Sequence, residues 1–287
     1  MGAIFRHELR NYFHSLTAYV FGAFLLAVVG LGSVLYNLQA AVSNFEFVLS
    51  FASIIFVVIV PILTMRTLAE ERRQRTDQLL YSLPITTTQV VLGKYLALLV
   101  VYLIPLAVIS LYPLLFSQFG DVYLPTSYGS LFAFFMMGAA LLAVGMFLSS
   151  LTDNQGFAAG IGIAAILLNY YSVSLAEYTS STAMGSLIAL YVIALLLGVV
   201  IHNLTRNENL AYGVAFALIA ALSVAYFVNS SAFEGLLPDI MTKLSLFRQF
   251  NSFVNGAFDL TAIVYYVSVM GFFLFLSVQS MEKRRYN

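Results

Sequence analysis

Cysteine and tryptophan are absent from this 287-residue chain, which holds only 13 Lys and Arg, 13 Asp and Glu, and three His. Without Cys there are no disulfides and no thiolate-held metals. A charged share of 9%, where soluble domains carry roughly a quarter, excludes an ordinary water-facing globular surface. No G-x-x-x-x-G-K-[ST] occurs: the Gly93-Lys94 pair has Thr88 in place of the first Gly and Tyr95 in place of the Ser or Thr, so the chain lacks that phosphate cradle. His7, His14 and His202 are scattered, with no H-E-x-x-H and no readable Ser-His arrangement. No catalytic residue and no metal ligand is therefore assigned. Carboxylates are equally scarce within the apolar runs, since Glu46, Asp121, Glu177, Glu234, Asp239 and Asp259 fall outside them or at their ends. Proton- or sodium-coupled carriers use such groups as relays and ion sites. Energy for transport must then come from a partner chain, or transport is passive.

What the chain has in abundance is hydrocarbon: 61% hydrophobic residues and a mean hydropathy of +0.92. Several runs reach the ~20 residues that a helix needs to cross the bilayer. The expected class is an all-α polytopic membrane protein with about eight transmembrane helices, over Thr17–Leu38, Phe47–Met65, Val90–Phe116, Leu131–Leu151, Gly156–Ser174, Gly185–Ile201, Ala211–Val228 and Leu260–Ser280. The first run is too long for a signal peptide and lacks a cleavage site, so it is read as a retained span. The pair Gly185–Ile201 and Ala211–Val228 forms an extra hairpin on a six-span core, and removing it leaves every other side unchanged. Lys and Arg collect in cytoplasmic loops. An inside N-terminus puts Arg6, Arg10, Arg66, Arg72, Arg73, Arg75, Lys94, Arg206, Lys283, Arg284 and Arg285 on one side and leaves only Lys243 and Arg248 outside. Both termini are thus expected in the cytoplasm.

Residues 1–15 carry Phe5, Leu9, Tyr12 and Phe13 at helical spacing, with Arg6, Arg10 and Asn11 between them. This is the stripe of an interfacial elbow helix, either a simple basic anchor or a helix packed on a partner. The stretch from Pro61 to Leu96 is an island of charge between two apolar runs. Residues 66–83 are good helix formers, Glu71 stands four before Arg75, and Pro84 closes the run. Thr86 and Gln89 have capping-box spacing for the next membrane helix, and Lys94 lies one turn further in, where its stem could snorkel to the interface. Leu68, Leu79, Leu80 and Leu83 need something to pack against, while Glu70, Glu71, Arg72, Arg73 and Arg75 offer exposed charge. The pattern leaves two readings open, a solvated helical hairpin and a docking surface.

The string AEERRQRTDQLLYSLPITTTQVVLGKYLA, with PILTMR before it, resembles the segment between the second and third spans of type-2 ABC exporter permeases, and most of all the gliding-motility branch. The matching positions are Pro61, Leu63 to Arg66, Ala69 to Arg73, Thr76, Leu79, Leu80, Pro84, Gly93 and Lys94. FRQFNSFVNGAFDLTAIVYYVSVMGFFLFL and the basic tail Lys283–Arg285 are similar to that family's last-span region. Arg75 stands where many members have Gly, so a tight turn there is not carried over.

The resemblance implies a single permease domain over 1–287 in the cytoplasmic membrane of a prokaryote, with a coupling-helix region at 66–88. Its expected contact with a cytoplasmic ABC ATPase is Glu70, Glu71, Arg72, Thr76 and Leu80, with Leu79 and Pro84 in the same motif and Arg73 and Arg75 at the rim. ATP and Mg²⁺ belong to that ATPase, and no cofactor is expected on this chain. Residues 230–259 are expected to be an extracytoplasmic helical segment, with Ile240, Leu244 and Phe247 on one helical face; an amphipathic helix on the outer leaflet explains the pattern, and by resemblance Ile240, Leu244, Phe247 and Phe250 form an external gate. A second permease copy or a related permease, membrane lipid and an extracytoplasmic auxiliary subunit are further expected partners, and nucleic acid is not. The implied function is export driven by ATP hydrolysis in partner subunits. The alternatives are a non-transporting mechanotransmission subunit and a passive channel or scaffold. The substrate is not legible.

Overall fold

A computed structural model of the chain describes residues 1–74, 85–205 and 208–285. Among them all regular structure is helical. The chain divides into two compact units, residues 1–170 with 249–287, and residues 171–248.

In the first unit, α1 (Gly2–His14) is an amphipathic helix, with Tyr12 buried, Phe5, Leu9 and Phe13 half-buried, and Arg6, Arg10 and Asn11 exposed. It is followed by α2 (Thr17–Ser33), which continues as a π-helical segment over Val34–Gln39. The expected second span is not straight. It consists of α3 (Phe45–Ser53) and α4 (Phe56–Thr64), bent by 58° at the break between them. Pro61 lies within α4, where it lacks the N–H of a helix interior. A methyl group on Gly162 would stand 2.9 Å from the Pro61 Cβ, so that glycine is what lets the neighbouring helix approach. The chain runs on through a helical turn (Met65 N to Pro61 O, 2.8 Å; Glu70 N to Arg66 O, 3.4 Å) into α5 (Ala69–Gln74).

After residues 75–84, which are not described, α6 (Thr87–Ile109) starts with the expected capping box. Gln89 N donates to Thr86 Oγ1 at 3.2 Å, and Thr86 N to Gln89 Oε1 at 3.4 Å. A short α7 (Leu111–Phe116) extends it. The core helix is α8 (Leu124–Ser150), whose most apolar window is 67% buried, well above the other spans. It starts seven residues before the expected Leu131. Pro125 opens it, and its polar first turns are held inside by Ser127 Oγ on Glu46 Oε2 (3.3 Å) and Ser130 Oγ on the Phe253 carbonyl (2.9 Å). Two tyrosines of α6 tie the two helices together: Tyr95 donates to the Ala139 carbonyl at 2.9 Å and Tyr102 to that of Phe134 at 2.8 Å. Gly138 is the gap into which the Tyr102 ring fits, since a Cβ there would lie 2.5 Å from it. Then come α9 (Gln155–Tyr178), which passes into the second unit, and, beyond that unit, α14 (Leu260–Arg285), packed along α8. Of the glycines in α9, Gly160 meets nothing within 4 Å, whereas Gly162 packs closely on Pro61.

The second unit is built on a hairpin of α10 (Ala183–Thr205) and α11 (Glu208–Val228). Close packing of Gly198 on Ala215 and the Tyr191–Ser223 hydroxyl pair, 2.6 Å apart, join them. A short 3-10 helix (Ser230–Phe233) leads to α12 (Leu236–Lys243) and α13 (Leu246–Val254). Gly235, at φ +68°, makes the turn into α12, and its N–H donates to the Ser181 carbonyl at 2.8 Å.

Among the described residues, six helices are long and apolar enough to cross a membrane: Thr17–Gln39, Thr87–Phe116, Leu124–Ser150, Gln155–Tyr178, Ala211–Val228 and Leu260–Lys283. The other two expected spans correspond to the bent α3–α4 pair and to the shorter apolar stretch Ala183–Val199.

Candidate functional site: a polar brace at the charged end of the bundle

The structure joins the charged island to the rest of the first unit through buried polar contacts. Lys94, on the second turn of α6, does not snorkel. Its side chain is 2% exposed, and Nζ lies 2.8 Å from Glu8 Oε1 of α1 and 2.8 Å from Glu71 Oε1 of α5. At that burial two carboxylates take the place of solvent around the ammonium. Gly93, its neighbour, allows the approach: a Cβ there would meet Ile4 of α1 at 3.1 Å. Three helices that are distant in sequence therefore meet at one ammonium.

Arg72 is the second tie. Its Nη2 donates to Ser280 Oγ at 3.1 Å, and that hydroxyl donates to the Ser150 carbonyl at 3.0 Å. This links α5, the last turns of α14 and the end of α8. Ser149 caps the same corner, accepting from Leu68 N (3.3 Å) and Ala69 N (3.2 Å) and donating to the Met65 carbonyl (3.1 Å). Free N–H groups at the start of α5 are thereby satisfied by a side chain of α8. Thr87 Oγ1 at the start of α6 donates to Glu282 Oε1 at 2.8 Å. Under the brace, burial pushes the Tyr12 phenol up to about 12, with Thr67 bonded to it and the Glu8, Glu71 and Lys94 charges nearby.

The expected contact residues divide. Glu71 and Arg72 face inward as members of the brace, so the expectation that they offer exposed charge is corrected: the Lys94 ammonium and the Ser280 hydroxyl draw them into the protein. Arg73 is exposed, and Glu70 is half-buried with Gln74 Nε2 donating to it at 3.2 Å. Arg75, Thr76, Leu79, Leu80 and Pro84 lie outside the described residues. Beside α5 a cavity of about 640 Å³ is lined by α1, α5 and the turn before it, with Glu8, Arg66, Glu70, Glu71 and Lys94 among its walls. Among the described residues, no three His, Asp or Glu side chains come together in a way that could hold a metal ion.

Of the expected gate residues, Phe250 is 1% exposed and packs edge-on to Phe134, with ring centroids 5.9 Å apart. Phe247 is buried and Ile240 is half-buried, whereas Leu244 is 56% exposed. The single helical face expected for Ile240, Leu244 and Phe247 is not formed. The chain breaks after Lys243, and Ser245 Oγ starts α13 by accepting from Arg248 N at 3.3 Å, which places Leu244 at the corner.

Sequence reasoning missed Glu46, a 3%-exposed carboxylate at the start of α3 that accepts from Asn44 Nδ2 at 2.6 Å and from Ser127 at 3.3 Å. It also missed Glu8, Ser149, Ser280 and Glu282. None of these stands in a local motif. For Glu8 the available signal was a lone acid on the polar side of a basic elbow.

A model of the ABC-2 family transporter proteins matches residues 31–176, just over half of the chain, and this stretch contains α5, Lys94 and Ser149. No curated protein matches. With six helices among the described residues long and apolar enough to cross a membrane, and a match of that extent, the chain belongs to the ABC-2 family of transporter proteins and is a multi-pass membrane permease of that type.

Proposed function

We propose that this permease couples ATP hydrolysis by cytoplasmic ABC ATPase subunits to export of a substrate across the cytoplasmic membrane of a prokaryote, with α5 and the residues after it as the coupling element. The observation that carries the reading is the continuity and bracing of α5. It extends directly from membrane helix α4 and is pinned to α1, α6, α8 and α14 by the Lys94 and Arg72 contacts. A push on a helix fixed in this way must move membrane helices, whereas a push on a solvated loop is lost in local motion. The docking surface then consists of Arg73, Glu70 and the motif residues Arg75, Thr76, Leu79, Leu80 and Pro84, with Glu71 and Arg72 as its internal support.

In this reading the branch is the gliding-motility one, and the bent α3–α4 pair and α10 complete eight spans with both termini in the cytoplasm. One half-sized permease holds one coupling element, so a second copy or a related chain completes the pathway, and α12 and α13 with Phe247 and Phe250 close it externally. An extracytoplasmic auxiliary subunit fits the same assembly. The test is purification with co-encoded proteins followed by ATPase assay in lipid. An ATPase that co-purifies, and whose turnover falls when Arg73 and Thr76 are replaced by Ala, is expected. Absence of both an ATPase and ATP-dependent activity sinks the proposal.

A further inference from the structure

A second cavity, of about 470 Å³, lies between α2 and the α3–α4 pair. Its floor is buried Phe21, Ile59 and Leu63, and its rims are exposed Val20, Phe24 and Val58. It is a slot along two apolar helices. At its charged end, Thr17 and Arg66 line both this slot and the polar 640 Å³ cavity beside α5. The apolar slot and the chamber with charged groups on its wall thus adjoin at two shared residues, an outline that suits an amphiphile with its tail in one and its head in the other.

The charges on that wall select the head. Lys94 is committed to Glu8 and Glu71. Arg66 is exposed and has no ion pair among the described residues, although Glu70 stands one helical turn away with its N–H bonded to the Arg66 carbonyl. Both side chains line the chamber, and the Glu70 carboxylate accepts from Gln74 Nε2 at 3.2 Å, which leaves its second oxygen available. The chamber lining contains three carboxylates and two cations. A purely anionic head meets a surplus of negative charge, and a purely cationic head leaves Arg66 without a partner. A zwitterion satisfies both, with phosphate on the Arg66 fork and a primary ammonium, which has three N–H donors, on Glu70.

We propose that the slot between α2 and α4, together with the chamber at Arg66 and Glu70, binds one phospholipid with a phosphoethanolamine head. This goes beyond the coupling reading and does not depend on it. Binding is read on the purified, delipidated full chain by thermal stabilisation with short-chain phosphatidylethanolamine, phosphatidylcholine, phosphatidylglycerol and water-soluble phosphoethanolamine.

The expected order is phosphatidylethanolamine tightest, then phosphatidylcholine, then phosphatidylglycerol, with the soluble head group weakest. Arg66→Ala should weaken the ethanolamine lipid by about ten-fold, the value of one charge-assisted hydrogen bond. Glu70→Gln should bring that lipid down to the choline level and improve phosphatidylglycerol. Val58→Trp, at an exposed rim position, should fill the slot and weaken all three lipids while helicity stays unchanged. The proposal is overturned by a preference for phosphatidylglycerol, by equal binding of the soluble head group, by indifference to Arg66→Ala and Val58→Trp, or by a Val58→Trp variant that changes the oligomeric mass and leaves lipid binding intact, which would mean that a second copy covers the slot.

Discussion

Replacement of Lys94 by Met removes the ammonium and leaves Glu8 and Glu71, each 2.8 Å from Nζ in the wild type, facing each other at side-chain exposures of 13% and 20%. Breaking a buried ion pair from one side costs roughly 3–5 kcal/mol, because the remaining charge keeps its desolvation penalty without its partner. Here two such charges remain, and they repel. At about 2–4 °C per kcal/mol for chains somewhat shorter than this one, the expected loss is on the order of 10 °C in thermal midpoint. The assay is the fraction of protein that stays monodisperse in detergent after heating. The same charge balance ranks the other variants. Glu8→Gln or Glu71→Gln alone should cost less than Lys94→Met, since the ammonium keeps one carboxylate. The triple variant Lys94→Met, Glu8→Gln, Glu71→Gln should recover most of the loss, because no uncompensated charge is left inside. A Lys94→Met midpoint within a degree or two of the wild type, or a triple variant no better than the single, would refute the brace.

Arg72→Ala is expected to lower stability by about 1.5–3 kcal/mol through its charged hydrogen bond to Ser280. Arg73→Ala should stay within about 0.5 kcal/mol, as exposed substitutions do, while weakening ATPase association in a pull-down; the reverse assignment would exchange bracing and docking faces. Gly138→Ala drives a methyl group into the fully buried Tyr102 ring, which its own bond to the Phe134 carbonyl holds in place, and should cost about 1–3 kcal/mol. Gly160→Ala, with nothing within 4 Å, serves as the matched control in the same thermal assay. Tyr12 stays protonated to a higher pH in the folded protein than in the unfolded chain. Its contribution is therefore fully present below the ordinary phenol value of 10.0 and is lost as pH rises through about 12. Absorbance of tyrosinate should show a late-titrating phenol that Tyr12→Phe removes together with the alkaline loss of stability.

How much the sequence disclosed depended on the range of the interaction involved. The amphipathic stripe of residues 1–15 and the Thr86–Gln89 capping box are periodic or local features, and each forms a helix or cap where its residues predict, as do most of the apolar runs. The bend between α3 and α4 was not readable, because a window average over 47–65 is equally apolar whether the axis is straight or turned by 58°. The early start of α8 was hidden for a related reason. Ser127 and Ser130 read as loop polarity, yet both are fully buried on partners 81 and 123 residues away in the chain. The inward turn of Glu71 and Arg72 was misread on the same ground: a charge in a run of charges looks solvated until the facing helix supplies a Lys or a Ser.

That pattern bears on how the permease works. The family-matched stretch, residues 31–176, holds α5 and Lys94, but two of the groups that fix them are contributed from outside it, Glu8 from the first helix and Ser280 from the last, and Glu282 of the last helix holds Thr87 at the start of α6. The α5 segment is therefore held by the first and last helices as well as by the matched stretch. If α5 moves under load, Lys94 and Arg72 pull on α1 and α14 together, and α14 lies along the core helix α8. Loosening the Arg72–Ser280 tie with Ser280→Ala should then reduce coupling between ATP turnover and transport more than it reduces ATPase binding. Equal loss of both would mean that α14 only supports the docking surface and carries no force.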